Sequence, residues 1–394
     1  MNATAQPGAR IKSWDIFCRV VDNYGDAAVC WRLARELSGE HGGAVRLWID
    51  QLGVLHALCP SVVADKPAQS VDGVSIRHWT SDVDFGAPAE IAVEGFGCGM
   101  PEAYSAAMAA QIRPPIWITL EYLSAEPWVA RYHGLSSPHP QLSLERYFFF
   151  PGFLPGTGGL LKEHDLDARR SAFQNSRELQ TRFWRGLGFE HANDDGAVAS
   201  LFGYANPAAG ALLEVWVGGK RPMVAAVPVG PLRKQVCAFF GVEDPGDGAT
   251  LQRGSLEVRL LPFLPQERFD ELLWACGWNF VRGEDSMVRA QWAARPLIWQ
   301  LYPQEALAHE KKLEAFLDIY CTALDRETAE AFRRFTRAWN QIETPDRLNL
   351  QREWEVLGPR WKRLAKHAGT WLARLAETGE LAENLVQFCA KRLK

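Results

Sequence analysis

The 394-residue chain is first constrained by what it lacks. No uninterrupted apolar stretch approaches the roughly 20 residues needed to span a bilayer, and Met1 to Arg10 lack the apolar core of a secretory signal. The expectation is a cytoplasmic protein without a membrane anchor. Positive charge is not in excess: 43 Lys and Arg against 47 Asp and Glu give a net charge of −4. That argues against a direct nucleic-acid binder, whose affinity rests on neutralising phosphates. The eight cysteines, at 18, 30, 59, 98, 237, 276, 321 and 389, contain no C-x-x-C pair. They read as small buried hydrophobes rather than disulfides or a metal centre. The nine histidines form no H-E-x-x-H, so no metal site is expected. A P-loop, G-x-x-x-x-G-K-[ST], is missing, as is G-x-G-x-x-G after the first strand, which removes the usual support for an NTPase or a dinucleotide dehydrogenase.

Hydrophobic residues at 47% and charged residues at 23% give globular composition, and the length suggests about two domains. In the first part, short apolar runs at Ile16–Val21, Ala44–Ile49, Val74–Arg77, Ile91–Glu94 and Ile116–Leu120 read as strands. Helical patterns such as Pro101–Ile112 lie between some of them. Such alternation predicts a parallel sheet with helices on its faces. The Pro- and Gly-dense segment from Phe148 to Gly159 reads as an ordered loop linking two halves. Alternation restarts with strands at Val198–Gly203, Met223–Val227, Leu256–Leu261, Trp278–Val281 and Leu297–Trp299. Helices are expected at Pro207–Val217, Pro231–Phe239, Gln266–Trp274 and Asp285–Trp292. From Glu305 onward the pattern is almost wholly helical, and Leu381, Leu385 and Phe388 give the last helix an apolar stripe.

Two places on this outline carry chemistry. Asp22-Asn23-Tyr24-Gly25-Asp26 stands where the first strand hands over to a helix on which Val29, Leu33 and Leu37 recur. Ligands of open α/β sheets sit outside the carboxyl ends of the strands, so both aspartates fall on the chemical rim. An N-cap and a tight turn at Gly25 would account for one carboxylate, not for two. Glu94-Gly-Phe-Gly-Cys-Gly99 and Glu121-Tyr-Leu-Ser-Ala-Glu126 follow other strands on the same rim; Cys98 is a possible nucleophile there, with no partnered His apparent.

In the second half, Arg282-Gly283-Glu284-Asp285-Ser286 follows a strand and opens a helix. Free backbone N–H groups, the positive dipole end and a guanidinium suit a diphosphate. Phe202, Tyr204 and Phe263, at other strand ends, could stack on a flat base. The competing explanations are that Phe202 and Phe263 are core residues and that Asp285 and Ser286 are helix caps.

These strings, together with Phe148-Phe-Phe-Pro-Gly-Phe153, Thr157-Gly-Gly-Leu-Leu161 and Pro262-Phe263, resemble the bacterial elongation factor P arginine rhamnosyltransferases over nearly the whole chain. The resemblance implies an α/β GT-B fold, two Rossmann-like domains facing across a cleft, with a helical C-terminal tail. Residues 1–176 would form the acceptor-side domain, with helices of 360–394 packing back on it, and 177–359 the nucleotide-sugar domain. It further implies inverting transfer of L-rhamnose from dTDP-β-L-rhamnose to an arginine of elongation factor P, the protein partner. Asp26 matches the family's general base, Asp22 its supporting carboxylate and Glu284 a further residue important for activity. Asn23, Tyr24, Gly25, Phe202, Tyr204, Phe263, Gln266, Arg282, Gly283, Asp285 and Ser286 match donor contacts. No cofactor or metal is implied. Two alternatives remain at this point: a GT-B enzyme with a non-protein acceptor, and a non-catalytic nucleotide-sugar-binding partner of a translation factor.

Overall fold

The computed structural model describes residues 11–21, 24–190, 197–302, 308–342 and 347–393. They group into two compact units, Met1–His164 with Leu375–Lys394, and Asp165–Arg374.

The first unit holds β1 (Ser13–Cys18), α1 (Gly25–Gly39), β2 (Ala44–Ile49), α2 (Leu52–Leu58), β3 (Ala68–Val71), β4 (Val74–His78), β5 (Ile91–Gly95), α3 (Glu102–Ala109), β6 (Ile116–Leu120), α4 (Val129–Tyr132), β7 (Ser136–Pro138) and β8 (Glu145–Phe149). The strands form one sheet in the order β3-β4-β2-β1-β5-β6-β8-β7. Every pairing from β4 to β8 is parallel, and only the edge strands β3 and β7 are antiparallel. The carboxyl ends of the parallel strands therefore share one edge. β5 and β6 are buried at every residue, as expected for parallel strands covered on both faces.

The core of this unit packs Phe17, Trp48, Trp79 and Tyr104 together, with the rings of Phe17 and Trp48 stacked at 6.1 Å. A charge lies inside it. Asp15, fully buried on β1, accepts hydrogen bonds from Arg46 Nε at 2.6 Å, Trp48 Nε1 at 2.9 Å, the Ala89 N–H at 3.0 Å and the Tyr104 hydroxyl. A buried carboxylate is tolerable because it is paired and its lone pairs are occupied.

The second unit holds α5 (Leu166–Gln174), α6 (Arg177–Gly186), β9 (Val198–Leu201), α7 (Ala209–Val217), β10 (Met223–Val227), α8 (Pro231–Phe239), β11 (Thr250–Arg253), β12 (Leu256–Leu260), α9 (Gln266–Ala275), β13 (Trp278–Arg282), α10 (Asp285–Trp292), β14 (Leu297–Gln300), α11 (Ala308–Tyr320), α12 (Arg326–Trp339) and α13 (Arg347–Leu357). α14 (Trp361–Ala376) begins here as well, and α15 (Leu381–Ala390) belongs to the first unit. The sheet order is β11-β12-β10-β9-β13-β14, parallel throughout except for the edge strand β11.

The chain passes into the second unit at Asp165, earlier than the expected boundary at 176, and returns at Leu375, later than the expected 360. α5 lies with the second unit, because Arg170 donates to the Trp292 carbonyl at 2.7 Å and the Phe173 ring meets Trp274 at 5.7 Å. Most of α14 does too: Trp361 Nε1 donates to the Gly277 carbonyl at 2.8 Å. The glycine-rich segment expected to link the halves lies inside the first unit, where it receives the C-terminus. Leu381 N–H donates to the Leu160 carbonyl at 3.0 Å, and Lys162 pairs with Glu380 at 3.0 Å. Gly159 has φ +74°, and a Cβ there would come within 2.3 Å of the Gly379 carbonyl oxygen.

Most strands and helices fall where periodicity predicts them. β1 does not: it spans Ser13–Cys18 rather than Ile16–Val21, because its pairing to β2 and β5 ends by Cys18, and Val21 is 76% exposed. The edge strands β3 and β7 went unpredicted because half-exposed, polar edge strands carry little apolar signal. Among the described residues, no helix is long and apolar enough to cross a membrane.

Candidate active site

On the first unit, the rim begins with α1. Tyr24 occupies the N-cap position and makes no side-chain cap bond, so capping is not what Asp26 does. Gly25 is the first helical residue and Asp26 follows within the first turn, 3% exposed. Its Oδ2 accepts the Val21 N–H at 2.9 Å, reaching back over the loop that leaves β1. Asp22 and Asn23 lie outside the described residues.

Two more carboxylates occupy the same edge. Glu94, buried at the end of β5, accepts from the Gly99 N–H at 2.9 Å and Trp117 Nε1 at 3.0 Å. Glu121 follows β6, and burial, reinforced by the charge of Glu94, raises its carboxyl above the ordinary range. An edge carrying Asp26, Glu94 and Glu121 favours a cationic visitor. Cys98 is not equipped as a nucleophile. Burial and Glu94 push its thiol up to about 12, and its Sγ donates to the Phe17 carbonyl at 3.4 Å.

On the second unit, the ends of β9, β12 and β13 share the carboxyl edge, which carries Phe202 and Tyr204, Phe263, and Arg282 respectively. The Arg282 guanidinium lies 4.7 Å from the Phe202 ring centre and 4.6 Å from that of Tyr204, so these three residues form one cluster. Phe202 also meets Phe269 of α9 edge-on at 5.2 Å, and the Tyr204 N–H donates to Gln300 Oε1 at 2.9 Å. Gln266, the first residue of α9, is buried, and Phe263 is partly buried in the turn before it.

The turn into α10 is built by its own side chains. Gly283 has φ +62°, in the left-handed region that favours glycine. Glu284, not Asp285 or Ser286, is the N-cap residue, and it makes no side-chain cap bond. The helix-cap explanation for Asp285 and Ser286 therefore fails. The Ser286 hydroxyl donates instead to the Arg282 carbonyl, while the Arg282 N–H donates to Ser286 Oγ at 3.1 Å, pinning the strand end to the helix. Trp299 Nε1 donates to the Gly283 carbonyl at 2.8 Å. Glu284 pairs through Oε1 with Lys312 of α11 at 2.7 Å. The main-chain N–H groups of a helix start beside a guanidinium make an anion site.

Sequence reasoning missed Trp299, Gln300 and Lys312. The first two are the buried end of a strand whose pattern signals only core, and Lys312 is one cation on a charged helix. Nothing local marks any of them. Among the described residues, no group of three or more His, Cys, Asp or Glu is arranged to hold a metal ion.

A family model described as Elongation-Factor P (EF-P) rhamnosyltransferase EarP matches residues 14–390. A protein-arginine rhamnosyltransferase of Pseudomonas putida is 44% identical over 376 residues, covering 95% of this chain and 98% of its own. Its counterpart in Neisseria meningitidis is 34% identical over 385 residues, covering 96% and 97%. A solved structure, described as the structural basis for EarP-mediated arginine glycosylation of translation elongation factor EF-P, matches with a TM-score of 0.68 at 34% identity. It covers 95% of this chain and 98% of that one.

Two Rossmann-like units, each a largely parallel sheet with helices, and a helical C-terminal segment define a GT-B glycosyltransferase. The chain belongs to the EarP family of elongation factor P rhamnosyltransferases. It is an enzyme that glycosylates arginine, a protein-arginine rhamnosyltransferase.

Proposed function

We propose that the enzyme moves L-rhamnose from dTDP-β-L-rhamnose, with inversion at the anomeric carbon, to an arginine side chain of elongation factor P. The observation that carries this reading is the Arg282 guanidinium over Phe202 and Tyr204, at the mouth of a left-handed turn that opens α10. Nucleoside diphosphates need a cation and exposed N–H groups for the phosphates and flat apolar surface for the base, and this edge offers both. In this reading Phe202, Phe263 and Tyr204 flank thymine, and the Arg282 guanidinium with the main-chain N–H groups of Gly283, Asp285 and Ser286 holds the diphosphate, with Gln266 a further donor contact. Asn23, Tyr24 and Gly25 remain expected donor contacts, and Asp22 the expected carboxylate supporting Asp26.

Arginine is a poor nucleophile because its lone pairs are delocalised and its pKa of about 12.5 to 13.8 keeps it protonated at neutral pH. Asp26 therefore orients the guanidinium in the ground state. As a guanidinium nitrogen bonds to the anomeric carbon, the carbon–oxygen bond to dTDP breaks and its electron pair leaves with the diphosphate. The attacking nitrogen then becomes acidic and its proton passes to Asp26. Arg282 and the α10 start stabilise the charge growing on the leaving group, which leaves no step that needs a divalent metal. Support comes from the negative edge around Asp26, suited to a cationic acceptor, and from family membership.

The test is direct. The enzyme is incubated with dTDP-rhamnose and purified elongation factor P, and the acceptor is analysed by mass spectrometry and NMR. The expected result is a single deoxyhexose on one arginine in the α-configuration. A product retaining the β-configuration would remove the inverting step, and no modification would remove the acceptor.

A further inference from the structure

We infer that Lys312 is a positioning residue of the donor site: as counter-ion of Glu284, it orients that carboxylate and cancels its charge beside the diphosphate. The inference rests on the donor placement proposed above. A carboxylate in the turn that should receive an anion is an electrostatic contradiction, since like charges at close range oppose each other. Lys312 resolves it. Its Nζ is 2.7 Å from Glu284 Oε1, and the two side chains are only 23% and 20% exposed, so solvent screens the pair incompletely.

Three further observations tie Lys312 to this place. Glu284 is the N-cap residue of α10 yet makes no side-chain cap bond, so its carboxylate does not serve as the helix cap. Lys312 Nζ lies 5.9 Å from the centre of the Trp299 ring, whose Nε1 holds the Gly283 carbonyl, which links the cation to the same turn. The acidic neighbours on α11 are engaged elsewhere: Glu314 and Glu310 both pair with Arg337. Lys312 reaches the site from α11, 28 residues beyond Glu284.

The experiment is a double-mutant cycle read by calorimetric titration of dTDP and of thymidine, which lacks the phosphates. The proteins are wild type, Lys312→Ala, Glu284→Gln, the double variant and Lys312→Arg. Lys312→Ala is expected to weaken dTDP binding about threefold to fivefold, the scale of one screened charge pair, and to change thymidine binding less than about twofold. In the Glu284→Gln background the same Lys312→Ala step should cost less than about twofold, because no carboxylate remains to be neutralised. Lys312→Arg, which keeps the charge, should retain most of the affinity. Equal losses of dTDP and thymidine would mean a purely structural role. Equal losses in both backgrounds would mean that Lys312 acts without Glu284, and no loss would mean it does not act; each overturns the inference. Arg282→Ala is the control: if it leaves dTDP affinity intact, the donor placement itself fails and takes this inference with it. If it weakens dTDP while Lys312→Ala does not, only the role of Lys312 falls.

Discussion

Asp26 and Val21 are joined across the loop that leaves β1, the carboxylate oxygen accepting the backbone N–H at 2.9 Å. The bond holds a buried acid at the carboxyl edge of the sheet in a fixed direction, and it separates what the side chain does for the fold from what its charge does for chemistry.

Asp26→Asn keeps an oxygen that can accept the Val21 N–H, so melting temperature and dTDP affinity should stay near wild type. Turnover should fall by about 10²-fold or more, as for loss of a positioned base. Steady-state assay of the acceptor's mass gain checks this, and turnover within twofold of wild type would remove Asp26 from the mechanism. Asp26→Ala should lose stability as well, by about 1 to 3 kcal/mol, because the loop N–H loses its acceptor.

Phe263→Ala should weaken dTDP and dTDP-rhamnose alike, by about 1 to 3 kcal/mol, if the ring stacks on the base. Titration calorimetry on both ligands measures it. Unchanged affinity with a collapsed melting temperature would assign the ring to the core.

Arg282→Ala should be more damaging than chelation, with activity persisting in excess EDTA. Arg282→Lys should recover only part of the loss, because an ammonium lacks the planar fork and packs less well over Phe202 and Tyr204. Loss of activity in EDTA, restored by magnesium or manganese, would show that the acidic residues bind a metal.

Glu36, on the helix that carries Asp26, has its carboxyl raised to about 7 by burial and by the charge of Glu163. A carboxyl whose folded pKa exceeds its unfolded value favours folding fully at low pH, and that contribution is lost as pH rises through the folded value. Between pH 4.5 and about 7 the wild type should therefore lose stability relative to Glu36→Gln. Paired melting curves across that window check the sign; a difference that stays constant with pH would rule out ionisation of Glu36 as the cause.

The parts of the fold that sequence reading captured share a physical basis. β10, α8 and α10 match their predicted bounds at every residue, because a continuous apolar run or a proline-started amphipathic turn imposes its own period on the chain. The antiparallel edge strands β3, β7 and β11, the strand β8, the point where β1 stops and the helices that change units were not legible. Each depends on where a partner strand ends or which surface a helix face meets, and neither is a local property.

The same division holds for the site. Sequence alone determined that acidic and basic residues would gather at strand ends, since in a parallel sheet every βα turn opens onto one edge. It also placed Arg282 and Gly283 at a helix start, where backbone N–H groups lack partners. Only the tertiary structure decided that the Arg282 guanidinium lies over Phe202 and Tyr204, from strands separated by some 80 residues, and that Ser286 fastens a strand end instead of capping a helix. It alone brought Lys312 to Glu284. Backbone geometry propagates along the chain, whereas charge pairing and ring contact depend on distance in space, and that distance is fixed only when the sheets and helices have packed.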